Sequence, residues 1–318
     1  MFCLKVRTLY HIYKEHLSSY RTAIEKKTWC KEKIEVINKN TGEVGEQPLY
    51  VFKPENIGAN MSIDDKAIGH DGFTVLSNSD TGKIAMLVET TTAQGVESAM
   101  EKFGVDLQKI KNVYMDMSPT YALVFNDLVP RAIQVADKFH VMKYVYEAVG
   151  EVRKRIVRNL QSSLSKGKIR SEEDRKLLVQ IERLRRIRHA VTQSSDKWNS
   201  EMEETIYQVF INHEELKTAY QISQDFKQWY NFGNRLKATD KITADLHQWY
   251  FSAAPIEEFK SVIKMLRKHE SQIINYFPHG ATNAKAERLN GKIQRFITNN
   301  YGLRDKDFFL YRIAGYFA

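Results

Sequence analysis

The residue types in this chain that could do chemistry together are Asp64 and Asp65 in "SIDDKAI", Asp116 in "NVYMDMS" and Glu287 in "ATNAKAERLNGKIQRF". Carboxylates are hard oxygen donors, and a set of Asp and Glu suits Mg2+ or Mn2+ better than zinc, which favours His or Cys. Two such ions held about 4 Å apart can activate an attacking oxygen and stabilise a leaving one in phosphodiester displacement. Spacing alone is a limited signal, because a chain with 39 acidic residues offers many such triples.

The stretch around Glu287 has the periodicity of a helix with three faces rather than two. At about 100° per residue, Ala286, Leu289, Ile293, Phe296 and Ile297 share an apolar face that should pack on a sheet. Lys285, Arg288, Lys292 and Arg295 share a basic face suited to phosphates, while Asn283, Glu287, Asn290 and Gln294 share the third. Glu287 is the only acid of that helix, and its default explanation is a surface ion pair contributing little. The flanking amides of Asn283 and Asn290 favour another role, because they orient a carboxylate, or contact a nucleic-acid backbone, without neutralising its charge.

The elements that must position these acids follow from pattern. Residues 4–32 read as helix, and 35–52 alternate around an Asn-Thr-Gly turn like a hairpin. "MSIDDKAI", "GFTVLSN" and "KIAMLVE" are three short β-rich runs joined closely enough for an antiparallel meander. Residues 90–104 form a helix behind threonine caps, and "NVYMD" is a fourth strand. Ser118 and Pro119 open the next helix as N-cap and first helical residue. "AIQVAD" is a fifth strand, followed by the long helix from Lys138. From there to about residue 276 no strand pattern appears, only amphipathic helices rich in Trp and Tyr. Asp64, Asp65 and Asp116 fall at strand ends, so a fourth strand parallel to the first would bring their carboxylates to one sheet edge, where open α/β sheets place their sites.

Composition narrows the class. Hydrophobic residues make up 42% and charged residues 27% of 318 residues, and no apolar run approaches the roughly 20 residues of a membrane span. The start "MFCLKVRTLYHIYKEH" lacks a secretory signal pattern, so a cytoplasmic location is expected. Cys3 and Cys30 are too few for a zinc ribbon or a disulfide framework and read as packing residues. The net charge is +9, and residues 150–199 hold 14 Lys/Arg against 6 Asp/Glu. That local excess fits a polyanion partner or an ordinary solvated helix face. Trp198, Trp229 and Trp249 read mainly as core residues, with stacking at a distorted DNA end as the alternative use.

The blocks "NVYMDMSPTY", "AIQVADKFHVMKYVYEAV", the Arg-Lys-Arg run in that same helix, and "TNAKAERLNGKIQRF...YGLRDKDFFLYRIA" resemble, in order, the DDE transposases of bacterial insertion sequences in the ISL-three group. The likeness runs from about Asn60 to the end. It implies an α/β, ribonuclease H-like mixed sheet of three antiparallel and two parallel strands with a large all-helical insertion. The expected divisions are an N-terminal helix and hairpin over 1–59, the first part of the core over 60–143, the helical insertion over 144–276 and a C-terminal helical part over 277–318.

Residue by residue, the resemblance makes Asp64 the first acid, Asp116 the second and Glu287 the third, together holding Mg2+ or Mn2+, two ions in all. Asp65 stands where relatives have Glu, as a neighbour or a stand-in, and alternation with Ile63 inward puts it on the opposite face from Asp64. Asp137 and His140 in "ADKFHV" rival the second acid, and the family pattern suggests an accessory role. Their ordinary readings are a helix N-cap and a packed imidazole. Arg153, Lys154, Arg155 and Arg158, with Lys285, Arg288, Lys292 and Arg295, are the expected DNA contacts.

The implied partners are transposon-end and target DNA and further copies of the chain, with no membrane, in a bacterial cytoplasm at the nucleoid. Members of the group usually begin with a zinc-binding and helix-turn-helix region. Here about 60 residues without a Cys/His cluster precede the core, so the alternatives are a DNA-reading protein encoded in a separate frame, loss of that region, or a truncated chain, with a separate frame or loss as the expectation. The implied activity is metal-dependent cleavage at transposon ends and transfer of the 3′-hydroxyl into target DNA. The alternatives are a resolvase-like nuclease that only hydrolyses, and a catalytically silent DNA-binding remnant.

Overall fold

The computed structural model describes residues 6–26, 29, 32–37, 41–164, 171–233, 239–279, 284–299 and 305–318. Helix α1 (Val6–Ile12) runs into a π-helical turn (Tyr13–Leu17), and α2 (Tyr20–Glu25) follows. The one long helix expected over 4–32 is interrupted at a serine pair. Ser18 turns its hydroxyl back onto the Lys14 carbonyl at 2.7 Å, and Ser19 takes a left-handed backbone, φ 61°. Serine side chains compete with the helix ladder in this way.

Strands β1 (Glu32–Ile37) and β2 (Val44–Phe52) form an antiparallel hairpin that starts earlier than residue 35. The meander β3 (Asn60–Ile68), β4 (Asp71–Asn78) and β5 (Lys83–Val88) is antiparallel throughout, and its turns use Gly69 and Gly82 at φ 68° and 72°. These left-handed conformations carry little steric cost only for glycine. Helix α3 (Ala93–Glu101) begins where the Thr92 hydroxyl accepts from Gly95 N at 3.3 Å. Strand β6 (Asn112–Met115) leads through the Ser118 cap and Pro119 into α4 (Pro119–Leu128), and β7 (Ile133–Ala136) follows. Next come α5 (Lys138–Ser162), α6 (Glu172–Arg186), α7 (Ser200–Asn212), α8 (Glu214–Gly233), α9 (Thr239–Ala253), α10 (Glu257–Lys268), α11 (Glu270–Ile274) and α12 (Tyr276–His279). The last elements are α13 (Ala284–Asn299) and α14 (Lys306–Phe317).

Among the described residues the strands make one seven-stranded sheet, in the order β1-β2-β5-β4-β3-β6-β7. The antiparallel meander with β6 added parallel to β3 is a ribonuclease H-like arrangement. The N-terminal hairpin is not set apart from it, because β2 pairs with β5 and extends the same sheet. The chain divides into two compact units, Met1–Val135 with His279–Ala318, and Ala136–Pro278.

The sheet of the first unit is covered on both faces. Met61, Ile63, Val113 and Met115 point to the face packed by Val96, Ala99 and Met100 of α3 and by Tyr121, Val124 and Phe125 of α4. Ile68, Phe73, Val75 and Leu87 point to the other, packed by Leu289 and Ile293 of α13 and Phe309, Leu310 and Ile313 of α14. An ionic cluster closes this second layer: Lys306 reaches Asp71 at 2.6 Å and Glu89 at 2.5 Å, and the Tyr50 hydroxyl donates to Glu89 at 2.9 Å.

The second unit is helical. Helix α5 packs against α6, α8 and α10, and the core includes Phe226, Tyr230, Trp249 and Phe259. The indole N–H groups of Trp229 and Trp249 donate to the Ile242 and Ile222 carbonyls, and that of Trp198 donates to Ala190 O. All three tryptophans are therefore packed and hydrogen-bonded. The amphipathic stretch 201–232 is two helices, parted at His213, and the acidic pair Glu214 and Glu215 opens the second at the positive end of its dipole. Among the described residues no helix is long and apolar enough to cross a membrane.

Burial of Ile293 in the α13–sheet layer sets a stability expectation. Ile293→Ala should lower unfolding free energy by about 2–5 kcal/mol through lost transfer energy and a residual cavity. Arg295→Ala, on the exposed side of the same helix, should change it by less than about 0.5 kcal/mol. Urea denaturation of the two variants checks both.

Candidate active site

The parallel pairing of β3 with β6 sets Ser62 beside Tyr114. Two residues further along each chain stand Asp64, which the alternation of extended backbone puts on the face of Ser62, and Asp116, which follows the end of β6 and is near enough to Asp65 and Tyr121 for its charge to act on both. The face of Ser62 is the one covered by α13 and α14, and α13 lies against β3. Asp65 belongs to the opposite face, directly across from Thr74 of β4.

Each aspartate has its own restraint. Asp64 is half-buried and forms an ion pair with Lys66, the next residue on its own face of the strand. Asp116 follows the last residue of β6, where its Oδ1 accepts from Ser118 N at 2.9 Å and so fixes the carboxylate at the turn into α4. Asp65 accepts a hydrogen bond from the Tyr121 hydroxyl. The Thr74 hydroxyl is 3.1 Å from the same Asp65 oxygen and 2.7 Å from the Thr90 carbonyl, so its single proton serves only one of them. Although the Asp65 residue is open to solvent, this oxygen turns towards the fully buried Thr74 and Tyr121. Burial pushes the Asp65 carboxyl above its ordinary value, hydrogen bonding from Tyr121, and from Thr74 when its proton turns that way, opposes this, and the nearby charges of Asp116 and Asp64 add to it.

Helix α13 carries Glu287 and is held by Leu289 and Ile293, both buried, with Phe296 and Ile297 packed on the same cluster. The side chains of Lys285, Glu287 and Asn290, and all of Asn283, lie outside the described residues. The approach to the helix is tied to the sheet by the Tyr114 hydroxyl, which donates to the His279 carbonyl at 2.5 Å. On this side of α13, Arg288 and Lys292 line a hollow of about 250 Å³ with Thr81, Gly82, Tyr316 and Phe317. Arg295 is exposed.

The donor set of Asp64 and Asp116 fits a hard divalent cation, and the Lys66 ammonium already places positive charge against one of the two carboxylates. Among the described residues no three His, Cys, Asp or Glu side chains group as metal ligands.

Asp137 and His140 belong to the helical unit. Asp137 is the N-cap of α5, accepting from Phe139 N at 2.7 Å, and the His140 ring nitrogen stands 3.6 Å from its other oxygen. Of the basic residues on α5, Arg155 is held by Glu258 at 2.6 Å and by Glu215, inside the helical packing. Lys154 pairs with Glu151 at 2.6 Å on the surface. Arg153 and Arg158 turn to a groove shared with Arg185 and Arg188. Three residues near the acids escaped sequence reasoning: Lys66, Tyr114 and Tyr121. The two-residue spacing of Lys66 from Asp64 was a usable signal, whereas both tyrosines read as ordinary apolar positions of a strand and a helix.

A carboxyl that holds its proton more tightly in the folded chain gives a pH dependence of known sign. Its contribution to stability is fully present below 3.8, the ordinary value, and is lost as pH rises through the raised folded value. Asp65→Asn, which keeps an acceptor for Tyr121, should therefore melt higher than the parent at neutral pH and match it below pH 3.8. Thermal unfolding across that range checks the sign.

A family model described as a transposase, that of the DDE transposases of the ISL-three group, matches residues 61–313. No curated protein and no solved structure matches the chain. The matched span runs from β3, which carries Asp64, to within α14, which lies beyond the helix carrying Glu287. It takes in the greater part of the sheet, the whole helical unit and the helix layer over the acids, and on that match the chain belongs to the DDE transposases of the ISL-three group.

Proposed function

We propose that this chain is the catalytic transposase of an insertion sequence, cutting DNA at the ends of the element and joining the freed 3′-hydroxyl to target DNA. The observation that carries the reading is the register Ser62 to Tyr114. It sets side by side the two strands that lead to Asp64 and Asp116, and α13, the helix of Glu287, packs on the face of Ser62, which supports a shared site.

In this reading Asp64, Asp116 and Glu287 hold Mg2+ or Mn2+, two ions in all. Such ions, when bound, supply Lewis-acid polarisation of the phosphoryl group and of the attacking oxygen. The chain's own contribution is placement. The strand backbone and Lys66 hold Asp64, the Ser118 amide holds Asp116, and the apolar face of α13 with the Tyr114 tether would hold Glu287 for the same site. Both reaction steps are in-line displacements at phosphorus by an oxygen nucleophile. Water attacks first and the 3′-oxygen leaves; then that 3′-hydroxyl attacks a target phosphodiester and displaces its 3′-oxygen. One site therefore serves both steps. Asp65, on the opposite face, positions the strand rather than the reacting groups. Arg288 and Lys292 on α13 would contact phosphates beside the acids. The chain would act in the cytoplasm at the nucleoid, as multiple copies on DNA.

Asp64→Asn, Asp116→Asn and Glu287→Gln should each lower cleavage of a labelled terminal-repeat duplex by about a thousandfold or more, the loss of several kcal/mol of charge stabilisation. Asp65→Asn should retain activity, and cleavage by Glu287→Gln at the parental rate would remove Glu287 from the site. Supplied with pre-cut ends, the parent should form joined products; hydrolysis without joining would identify a plain nuclease instead.

Lys66 generates a separate expectation. Its ion pair with Asp64 competes with a bound cation, so Lys66→Gln should tighten Mg2+ or Mn2+ binding by up to about fivefold, the scale of a weak ion pair. Calorimetric titration reads this without turnover, and unchanged affinity would show that Lys66 does not guard the acid.

A further inference from the structure

The helical unit contains a groove of about 450 Å³ lined by Arg153, Lys154, Val157 and Arg158 of α5 and by Arg185 and Arg188 from the end of α6 and the turn after it. Five of its six lining residues are cations, and none is acidic. On α5 these positions share one helix face, while Arg155 between them turns away to Glu258 and Glu215. The basic run thus divides into a structural arginine and a set that opens to the groove.

Arg153 is the centre of that set. Its Nη1 donates to the Leu184 carbonyl at 3.2 Å, which fixes the guanidinium, but its Nε is buried without a hydrogen-bond partner among the described residues. Burial lowers its pKa, and the charge of Arg188 lowers it further. Two guanidiniums held close enough to repel, one with an unused buried donor, make an arrangement that an anion with several acceptor oxygens would satisfy. Arg185 and Arg158 are in no ion pair among the described residues, although Arg158 is near enough to Glu258 to help depress its pKa. Arg188 donates from Nε to His189 at 3.0 Å and lines the groove. The planar fork of arginine matches phosphate oxygens in pairs.

We propose that this groove is a clamp for the phosphodiester backbone of duplex DNA, independent of sequence, in which Arg153, Arg158, Arg185 and Arg188 grip phosphate oxygens. The proposal rests on the reading that the chain acts on DNA, and it adds a second, non-catalytic grip carried entirely by the helical unit.

The test measures binding of the full chain to a labelled duplex of arbitrary sequence by fluorescence anisotropy over a salt series. The variants are the Arg185→Ala/Arg188→Ala pair and Arg183→Ala, an exposed arginine of α6 outside the groove. The pair should weaken binding by about tenfold or more and reduce the slope of log affinity against log salt by about 0.9 for each phosphate no longer neutralised. Arg183→Ala should leave affinity and slope near parental values. Arg185→Lys/Arg188→Lys, which keeps the charges, should recover much of the slope but not all of the affinity.

A parental affinity and slope for the alanine pair overturns the clamp. If that result accompanies loss of cleavage in Asp64→Asn, the transposase reading stands without it. Failure of the parent chain to bind any duplex removes both. A parallel titration with inorganic phosphate separates the remaining source: thermal stabilisation by phosphate that disappears in the alanine pair, with DNA binding intact, would identify a free-anion site and overturn the proposal.

Discussion

The parallel pairing of β3 with β6 is the constraint on which the rest of the first unit depends. A strand has a side-chain period of two, so the register of one pair determines which residues share a face and which stand level with one another. With Ser62 beside Tyr114, the chain turns Asp64 to the layer built by α13 and α14 and brings Asp116 off the end of the neighbouring strand. A slip of one residue in β3 would bring Asp65 to that face and take Ile63 and Met61 out of the layer under α3 and α4. The apolar packing of Met61, Ile63, Val113 and Met115 under α3 and α4 opposes that slip, so the hydrophobic layer on one side keeps Asp64 on the other.

The same logic explains why the acids are restrained by unlike partners. Carboxylates brought together repel, and each of these has a compensating contact: Lys66 for Asp64, the Ser118 amide for Asp116 and the Tyr121 hydroxyl for Asp65. Lys66 and the Ser118 amide sit on the chain that carries the acid, within two residues of it, and form whenever the local backbone does. The Tyr121 contact is different, because it joins α4 to β3 and exists only once the layers have packed. Tyr114 has a corresponding tertiary role on the other face, linking the sheet to the backbone just before α13. The helix carrying Glu287 is thus restrained by apolar packing along its length and by one hydrogen bond ahead of its start.

In the helical unit, position along α5 and not charge separates the roles of its basic residues. Arg155 meets Glu215 and Glu258, contributed by α8 and α10, and belongs to the packing of three helices. Arg153, Arg158, Arg185 and Arg188 meet one another across a groove with no acid in its lining. An excess of positive charge read along the sequence averages over these two situations, which differ in whether the charge is neutralised internally or left for a partner.

What the sequence determined by itself is local or periodic. The meander, the Ser118–Pro119 start of α4, the apolar face of α13 at Leu289, Ile293, Phe296 and Ile297, and the all-helical stretch after the last strand follow from turn chemistry, capping and hydrophobic spacing, which need only neighbours along the chain. The ordered blocks from "NVYMDMSPTY" to "YGLRDKDFFLYRIA" also made the family and its ribonuclease H-like core legible. The interruption at Ser18 and Ser19 was not legible, since either serine is compatible with a helix until its hydroxyl chooses the backbone. Nor was the joining of the hairpin to β5, the direction of β6, the service of Tyr121 to Asp65, or the division of Arg155 from Arg153. Each of these depends on which distant residue arrives opposite. A pattern of period two or 3.6 states which face a residue occupies but not what stands across from it, and only the packed tertiary structure supplies the partner.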